Sequence, residues 1–356
     1  LGKDDLVMVV KDIFNIKKGK KAKESNFGER YIQIEDLRND FNWKYAEIDP
    51  KNVLCDKNDI LIAWDGANAG TIGYNLEGVL GSTLAKLTPK KVEIIHPNYC
   101  GRFLQSKFNY LRENCTGATI PHISRASLEN LEIPLPNLET QKRIAAILDE
   151  ADTLRQLNQQ LIAKYDALTQ SLFLDMFGDP VTNPMGWDVY LGKDLFKYSS
   201  GRYNPTKNLN DSFRFPTYGG NGITGYSKDW LVDYATIIIG RVGAYCGSVH
   251  ITNGKIWVTD NAIYIKTFKQ SMNLIFCFEA FKKYNLNRFA DFSGQPKITQ
   301  KPLESLEFIY PPIHLQTQFA ERVQVIEQQK QQAQDALQKS ELLFNSLLQK
   351  AFNGTL

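Results

Sequence analysis

Nothing in this chain approaches eighteen consecutive apolar residues, so no stretch reads as a membrane-spanning helix. No charged-then-apolar leader opens it, and it starts at Leu1 without a Met, which leaves room for residues ahead of it. Cysteine is sparse: Cys55, Cys100, Cys115, Cys246 and Cys277 are odd in number and form no CxxC. That pattern speaks against a disulfide framework or a structural zinc site and fits a reducing, cytoplasmic setting. Histidine is scarcer still. His96, His122, His250 and His314 lie far apart without ligand spacing. There is no Walker A lysine loop, no nucleophile elbow and no HExxH. A nuclease site needs paired carboxylates near a lysine, and the one Asp-x-Lys, Asp49-Pro-Lys51, has a proline that sits badly in a strand. Gly220–Gly225 spells GxGxxG, but a polar, strand-like stretch follows it where a pyrophosphate would need a helix N-terminus, so a glycine-rich turn is the better reading. These absences leave no catalytic set and no metal site.

One absence is constructive. From Leu138 to Phe177 the chain runs forty residues without glycine or proline. Ile144, Ile147, Ala151, Leu154, Asn158, Leu161, Tyr165, Leu168 and Leu172 recur at alternating steps of three and four. That 3.5-residue seam predicts a long helix packed along a partner helix. Pro136 blocks helix ahead of it, Asn137 can cap it, and Gly178-Asp-Pro180 ends it. At 1.5 Å per residue it would span roughly 60 Å, too long for one compact core.

The pattern occurs twice. A shift of 175 lays Leu128–Ile133 on Leu303–Phe308, Pro136 on Pro311, Gln141 on Gln316 and Leu172 on Leu347. A shift of 177 lays Ile60–Ile62 on Ile237–Ile239, Gly66 on Gly243, Gly70 on Gly247 and Ala85 on Ala262. The order is globule, long helix, globule, long helix, which argues for duplication of a whole domain, not a solenoid of short units. The expected divisions are 1–135, 136–178, 179–310 and 311–356.

Each globule reads as α+β, with a sheet that curls on itself. In the first, Leu6–Ile16 and Arg30–Ile34 read as strands, Asp59–Ala63 as a buried strand, and Pro97–Glu113 has helical spacing. In the second, Phe213–Tyr218, Ala235–Gly240 and Ile256–Ile265 read as strands and Leu274–Tyr284 as a helix.

Charge is uneven. From Pro180 to Phe308, fifteen Lys/Arg face ten Asp/Glu, whereas the first long helix carries four basic and six acidic side chains. Lys17, Lys18, Lys20, Lys21 and Lys23 crowd into one loop. Basic globules on a near-neutral strut suggest a polyanion held by the globules, although a solvated lysine loop reads the same way. Aromatic, amide and basic residues also gather on glycine-rich loops. These are Trp64, Asn68, His122 and Arg125 in the first globule, and Arg202, Tyr218, Asn221, Arg241, Tyr245 and Lys297 in the second. Arg reads guanine and Asn reads adenine by bidentate hydrogen bonds, and Lys neutralises phosphate. An ordinary turn or core edge explains any one of them; the duplicated set points to double-stranded DNA.

On these segments the sequence resembles the specificity subunit of Type I restriction–modification enzymes. The resemblance is carried by Ile133–Ile144, Trp187–Gly192, Phe215–Gly225, Thr236–Arg241 and Trp257–Asn261, and covers essentially the whole chain. It implies two target-recognition domains, each reading half of a bipartite DNA site, on two antiparallel helices that act as a spacer. It further implies docking of two methyltransferase subunits, with restriction subunits outside. S-adenosylmethionine, ATP and Mg would then belong to the partners, with no cofactor here. Two departures stand out. Trp187 falls on Asp5 in the first globule, and the second helix is polar at Gln328–Gln332 where the first has Leu154 and Leu157. Competing readings are a DNA-binding regulator or scaffold that dimerises through its coiled coil, and the recognition part of a single-chain restriction–methyltransferase.

Overall fold

The computed structural model describes residues 6–38, 42–117, 119–353 and 356. The chain divides into two compact units, Leu1–Asn158 with Asp335–Leu356, and Gln159–Gln334. The central helix, Leu138–Phe177, and the C-terminal helix, Ile313–Phe352, therefore each give one half to each unit.

Both units are α+β and share one plan. In the first, Leu6–Val9 pairs antiparallel with Glu132–Leu135. A four-stranded antiparallel sheet runs Phe14–Lys18, Leu84–Pro89, Ile60–Ala63, Ile72–Tyr74. In the second, Val189–Leu191 pairs with Glu307–Ile309, and the sheet runs Phe196–Ser200, Ala262–Phe268, Ile237–Gly240, Val249–Ile251. The third sheet is where they part: five short strands in the first unit, and three in the second, Gly222–Ser227, Phe215–Gly219 and Trp257–Val258. The single curling sheet expected for each globule is thus three separate sheets.

The central apolar strand of each unit is buried on both faces because strand side chains alternate. Ile60 and Ile62 enter the core beside the long helices, and Leu61 and Ala63 enter a second core with Ile32, Leu80 and Leu84. Ile237 and Ile239 face one core in the second unit, while Ile238 joins Ile256 and Val258 in another. Gly19 and Gly201 hold equivalent places just after the first strand of the four-stranded sheets. A Cβ there would lie 2.1 Å from the carbonyl oxygen of Gly81 or Thr259, so only glycine fits.

Several expected strands are shorter or interrupted. Leu6–Ile16 is broken by a helical turn at Val10–Ile13, and Arg30–Ile34 is a strand at Glu29–Ile32 followed by a 3₁₀ turn. Ile256–Ile265 is two strands separated at Thr259-Asp-Asn261. Trp187 Nε1 donates to the Phe177 carbonyl at 3.0 Å, and Asp5 lies outside the described residues.

Each long helix is fastened at its start by a buried glutamine. Gln141 Oε1 accepts from the His96 N–H at 2.9 Å, and its Nε2 donates to the carbonyls of Ile94 (2.9 Å) and Pro136 (2.8 Å). Gln316 repeats this, accepting from the Asn273 N–H at 2.9 Å and donating to the Pro311 carbonyl at 2.7 Å. Asn137 caps the central helix by accepting from the Thr140 N–H at 2.9 Å. Gly178, at φ 72°, ends it.

Within each unit the early turns of one long helix meet the late turns of the other, so the halves run antiparallel. Phe352 meets Tyr99 and Phe103 in the first unit with ring centroids 5.5 and 5.2 Å apart. At the equivalent place in the second, Phe177 meets Phe276 and Phe319 at 4.8 and 5.4 Å. Burying each ring is worth about 1.5–3 kcal/mol.

The seam itself differs from the 3.5-residue reading. Ile144 and Ala151 are buried, and Ile147, Asn158, Tyr165 and Leu172 are half-buried, but Leu154, Leu161 and Leu168 are exposed. Ala145 and Leu148, and farther along Phe173 and Phe177, are buried instead. The cause is that each half-helix packs on its globule as well as on its partner helix, which rotates the buried face toward the globule core. The polar stretch of the C-terminal helix still makes a cross-helix contact, because Lys330 pairs with Asp166 at 2.6 Å.

Replacing Gln141 by Leu strands the half-buried His96 N–H and two half-buried carbonyls. Gln141→Leu should cost about 1–3 kcal/mol, and Gln316→Leu a similar amount. Denaturant unfolding of the full chain checks both; a neutral result for either would show that the amide is not what fastens the helix.

Candidate nucleic-acid interface

In the second unit the glycine-rich turn is a hairpin. Gly219 pairs with Gly222, which leaves Gly220-Asn221 as a two-residue tip, and Gly222 adopts φ 91°. The tip forms one wall of a cleft of about 450 Å³ that also holds Tyr203, Tyr245, Asp260, Asn261 and Gln295. Asn221 is exposed, and Tyr245 is 56% exposed. The lining offers amides, phenols and one carboxylate, a set suited to base edges and base faces.

Arg241 backs this cleft without lining it. Its N–H donates to the Asn261 carbonyl and its own carbonyl accepts from the Ile298 N–H, both at 2.9 Å. Its guanidinium Nη1 donates to the Asp260 carbonyl at 3.3 Å. The side chain is half-buried and holds the turn that carries Asp260 and Asn261, so the geometry gives it a positioning task. Tyr218 is likewise half-buried, packed against the core that contains Ile238 and Val258. Arg202 is exposed, its carbonyl accepting from Trp257 Nε1 at 3.0 Å. Lys297 is exposed and bridges backbone to backbone with Asp291 and Val242. The sequence reading missed Tyr203, Asp260, Asn261 and Gln295. The Asp-Asn pair was a signal, since both favour turns, but it lay inside what read as one strand.

The first unit builds a different site at the equivalent strand ends. Lys18 Nζ lies 2.6 Å from Asp65, and His122 Nδ1 lies 2.6 Å from the other oxygen of the same carboxylate. Burial works to raise the Asp65 pKa, but the hydrogen bonds and charges of Lys18 and His122 outweigh it and hold the carboxyl below its ordinary value. Asn68 Oδ1 accepts from Arg38 Nη2 at 2.6 Å, and Arg38 also reaches Thr71 at 3.3 Å. Arg38 is exposed and was not singled out from sequence, because nothing near it in the chain shows that it folds over Asn68. Trp64 is half-buried against the main core, which makes it a support more than a reader. Arg125 opens the short helix Arg125–Glu129 and pairs with Glu129 at 2.8 Å. Lys17, Lys20 and Lys21 are exposed, and among the described residues no carboxylate pairs with them; Lys23 pairs with Glu47 at 2.6 Å.

Among the described residues no group of His, Cys, Asp or Glu is placed to hold a metal ion, and no helix is long and apolar enough to cross a membrane. The five cysteines are free.

A duplicated α+β unit on paired long helices, with different polar clusters at matching strand ends, defines a class of repeat protein that keeps one frame and varies its loops. The sequence profile described as the Type I restriction modification DNA specificity domain matches residues 5–165 and 184–339, and the chain belongs to that family. It is similar to the specificity subunit of the Type I restriction enzyme MjaVIII of Methanocaldococcus jannaschii, with 31% identity over 54% of this chain and 46% of that one. The EcoprrI specificity subunit of Escherichia coli is 25% identical over 59% of this chain and 56% of its own length. These matches span about half of those relatives. In Salmonella potsdam the StySPI specificity subunit matches at 24% over 92% of this chain and 82% of the relative. Among solved structures, the Type-I restriction-modification system S subunit from M. genitalium shares the fold at TM-score 0.70 and 18% identity, covering 99% of this chain and 97% of that one.

Asp65 gives a pH test. A carboxyl whose folded pKa is depressed contributes stability above its unfolded pKa of about 3.9, and that contribution is lost as pH falls through the folded value. Thermal unfolding followed from pH 7 to pH 3 should therefore show a loss at the acid end that Asp65→Asn lacks. Identical acid profiles would show that the Lys18–Asp65–His122 cluster does not stabilise this site.

Proposed function

We propose that this chain is the DNA-reading subunit of a Type I restriction–modification enzyme, with one half of a bipartite duplex site read by each unit. The observation that carries this is the contrast between kept frame and changed loops. Gln141 and Gln316 both accept from a globule N–H and donate to the carbonyl ahead of their helix, while the strand-end clusters are a lysine–aspartate–histidine set in one unit and an amide–tyrosine cleft in the other. Repeated helices suit two copies of one methyltransferase subunit, and unlike loops suit two unlike half-sites. Restriction subunits join outside that core. The chain itself supplies no catalysis; S-adenosylmethionine, ATP and Mg act in the partners, and the assembly works in the cytoplasm.

The exposed leucines fit such docking. Leu154 and Leu157 in the first unit, and Leu161 and Leu168 in the second, are 39–55% exposed on the central helix. Regular spacing made Leu154, Leu161 and Leu168 read as part of a seam within the chain. As half-exposed apolar side chains in each unit, they suit the helices of a partner.

The test is reconstitution with the methyltransferase subunits on a random duplex library, read by methylation sequencing. The expected result is methylation at one two-part motif by the complex and none by the rigorously purified chain. A continuous, undivided motif, or methyl transfer by the chain alone, would contradict the reading.

Residue effects separate reading from holding. Asn221→Ala should cost about 1–3 kcal/mol at the second half-site only. Arg241→Ala should fail at the same half-site, through the Asp260 turn. Lys17, Lys20 and Lys21 replaced together should weaken all sequences alike and flatten the salt dependence by about 0.9 for each phosphate left without its lysine. Binding titrations on site variants at two or more salt concentrations check this, and a uniform loss from Asn221→Ala would remove it from the reading set.

A further inference from the structure

The repeat allows equivalent places in the two units to be compared. In the first, Arg102 reaches from the helix Pro97–Ser106 to the central helix, pairing with Asp149 and Asp152 at 2.9 Å each. Asp152 also takes Arg155 at 2.7 Å. The rings of Tyr74 and Phe344 flank the Arg102 guanidinium at 5.5 and 5.4 Å, and its side chain is 7% exposed. Two carboxylates thus hold two guanidinium groups, one of them between aromatic walls.

The same shifts of 175 and 177 assign every one of these positions in the second unit. Tyr74 becomes Ile251, Arg102 becomes Glu279, Asp149 becomes the neutral Gln324, Asp152 becomes Glu327, Arg155 becomes Lys330 and Phe344 becomes Thr169. The filling side chains are therefore missing. In their place is a groove of about 630 Å³, with Ile251, Phe278 and Val323 as apolar walls and Asp166, Glu279 and Glu327 among its polar groups.

The charges in it do not close. Lys282 pairs with Glu279 at 3.0 Å, and Lys330 pairs with Asp166 at 2.6 Å. Glu327 has only a 3.8 Å contact to the same Lys330. Burial disfavours the Lys330 ammonium, but its bond to Asp166 and the charges of Glu327 and Glu279 hold its pKa above the ordinary lysine value, so it stays charged. Two ammonium groups face three carboxylates, of which Glu279 is 5% exposed and Asp166 and Glu327, at the groove mouth, are 53% exposed. Thr169, on the groove wall, is 4% exposed, and its hydroxyl is buried without a hydrogen-bond partner. A weakly hydrated planar cation with an apolar stem suits the surplus carboxylate and the apolar walls.

We propose that this groove of the second unit receives an arginine side chain from a partner protein, whose guanidinium takes the place that Arg102 fills in the first unit. The stem lies against Phe278 and Val323, and the guanidinium pairs with Glu327. This rests on the proposed function only in requiring that the chain works within a complex. It makes the two docking sides unequal: the first unit is closed by its own arginine, and the second is completed from outside.

The site is tested on the full chain alone with N-acetyl-arginine amide, followed through the methyl resonances of Ile251, Ile275 and Val323. Saturable shifts with Kd on the order of 1 mM are expected. Glu327→Gln should weaken binding about tenfold, as loss of one charged hydrogen-bonded partner. The neutral N-acetyl-citrulline amide should not bind, and Thr169→Phe with Glu279→Arg, which rebuilds the first unit's filling, should block the probe. No saturable shift, or equal binding of the neutral analogue, would overturn the site. In the complex with methyltransferase subunits, Glu327→Gln should weaken uptake of one copy about tenfold and leave the other unchanged. Equal affinity for both copies would overturn the assignment to a partner. If the wild-type chain takes up no methyltransferase subunit, the docking function fails, while the probe titration judges the groove independently.

Discussion

A buried amide at the start of each long helix is the constraint on which the remaining structure depends. Gln141 and Gln316 are fully buried, and each exchanges hydrogen bonds with backbone groups of both its globule and the turn that opens its helix. A forty-residue helix has no tertiary address of its own, because its ends would otherwise fray and its face could rotate. The glutamine fixes the start, and packing on the globule sets the rotation. Once rotation is fixed toward the globule, Leu148 and Phe173 go into the cores and Leu154, Leu161 and Leu168 turn outward. Packing on the globule thus decides which apolar stripe the chain buries and which it leaves exposed.

The same frame explains how duplication serves two unlike tasks. Gly19 and Gly201 admit no side chain, the four-stranded sheets share one strand order, and Phe352 and Phe177 fill matching places. Change falls on the third sheet, on strand ends and on a few helix positions. Asp65 ties Lys18 and His122 together in one unit, whereas the Thr259–Asn261 turn and the Asn221 tip open a cleft in the other. Arg102 and Glu279 differ in the same manner on the helix side. The frame holds what must be alike and frees what must differ.

Much of this was legible in the sequence. The uninterrupted run from Leu138, its Asn137 cap and its Gly178 stop needed only local rules, and the two shifts exposed the repeat. The apolar runs Ile60–Ala63 and Ile237–Gly240 showed buried strands, since turns bounded them on both sides. What failed to show depended on neighbours remote in sequence. The helix rotation follows from a globule core and not from the heptad spacing. Arg38 meets Asn68 only because the fold brings them together. Asp260 and Asn261 were hidden inside an apparently continuous strand, and Arg241 looked like a reader until its guanidinium was seen to hold the Asp260 carbonyl.

The central claim is that one chain reads two half-sites and that its paired helices set the number of unread base pairs between them. It is tested most directly by inserting four helix-forming residues after Gln159 and at the facing position of the C-terminal helix. The insertion adds roughly 6 Å of helix, close to two base pairs at about 3.4 Å each. The lengthened chain, assembled with its methyltransferase subunits, is given a duplex library with randomised spacers. The account predicts unchanged half-site sequences and a spacer longer by about two base pairs. An active complex that keeps the original spacer would contradict it.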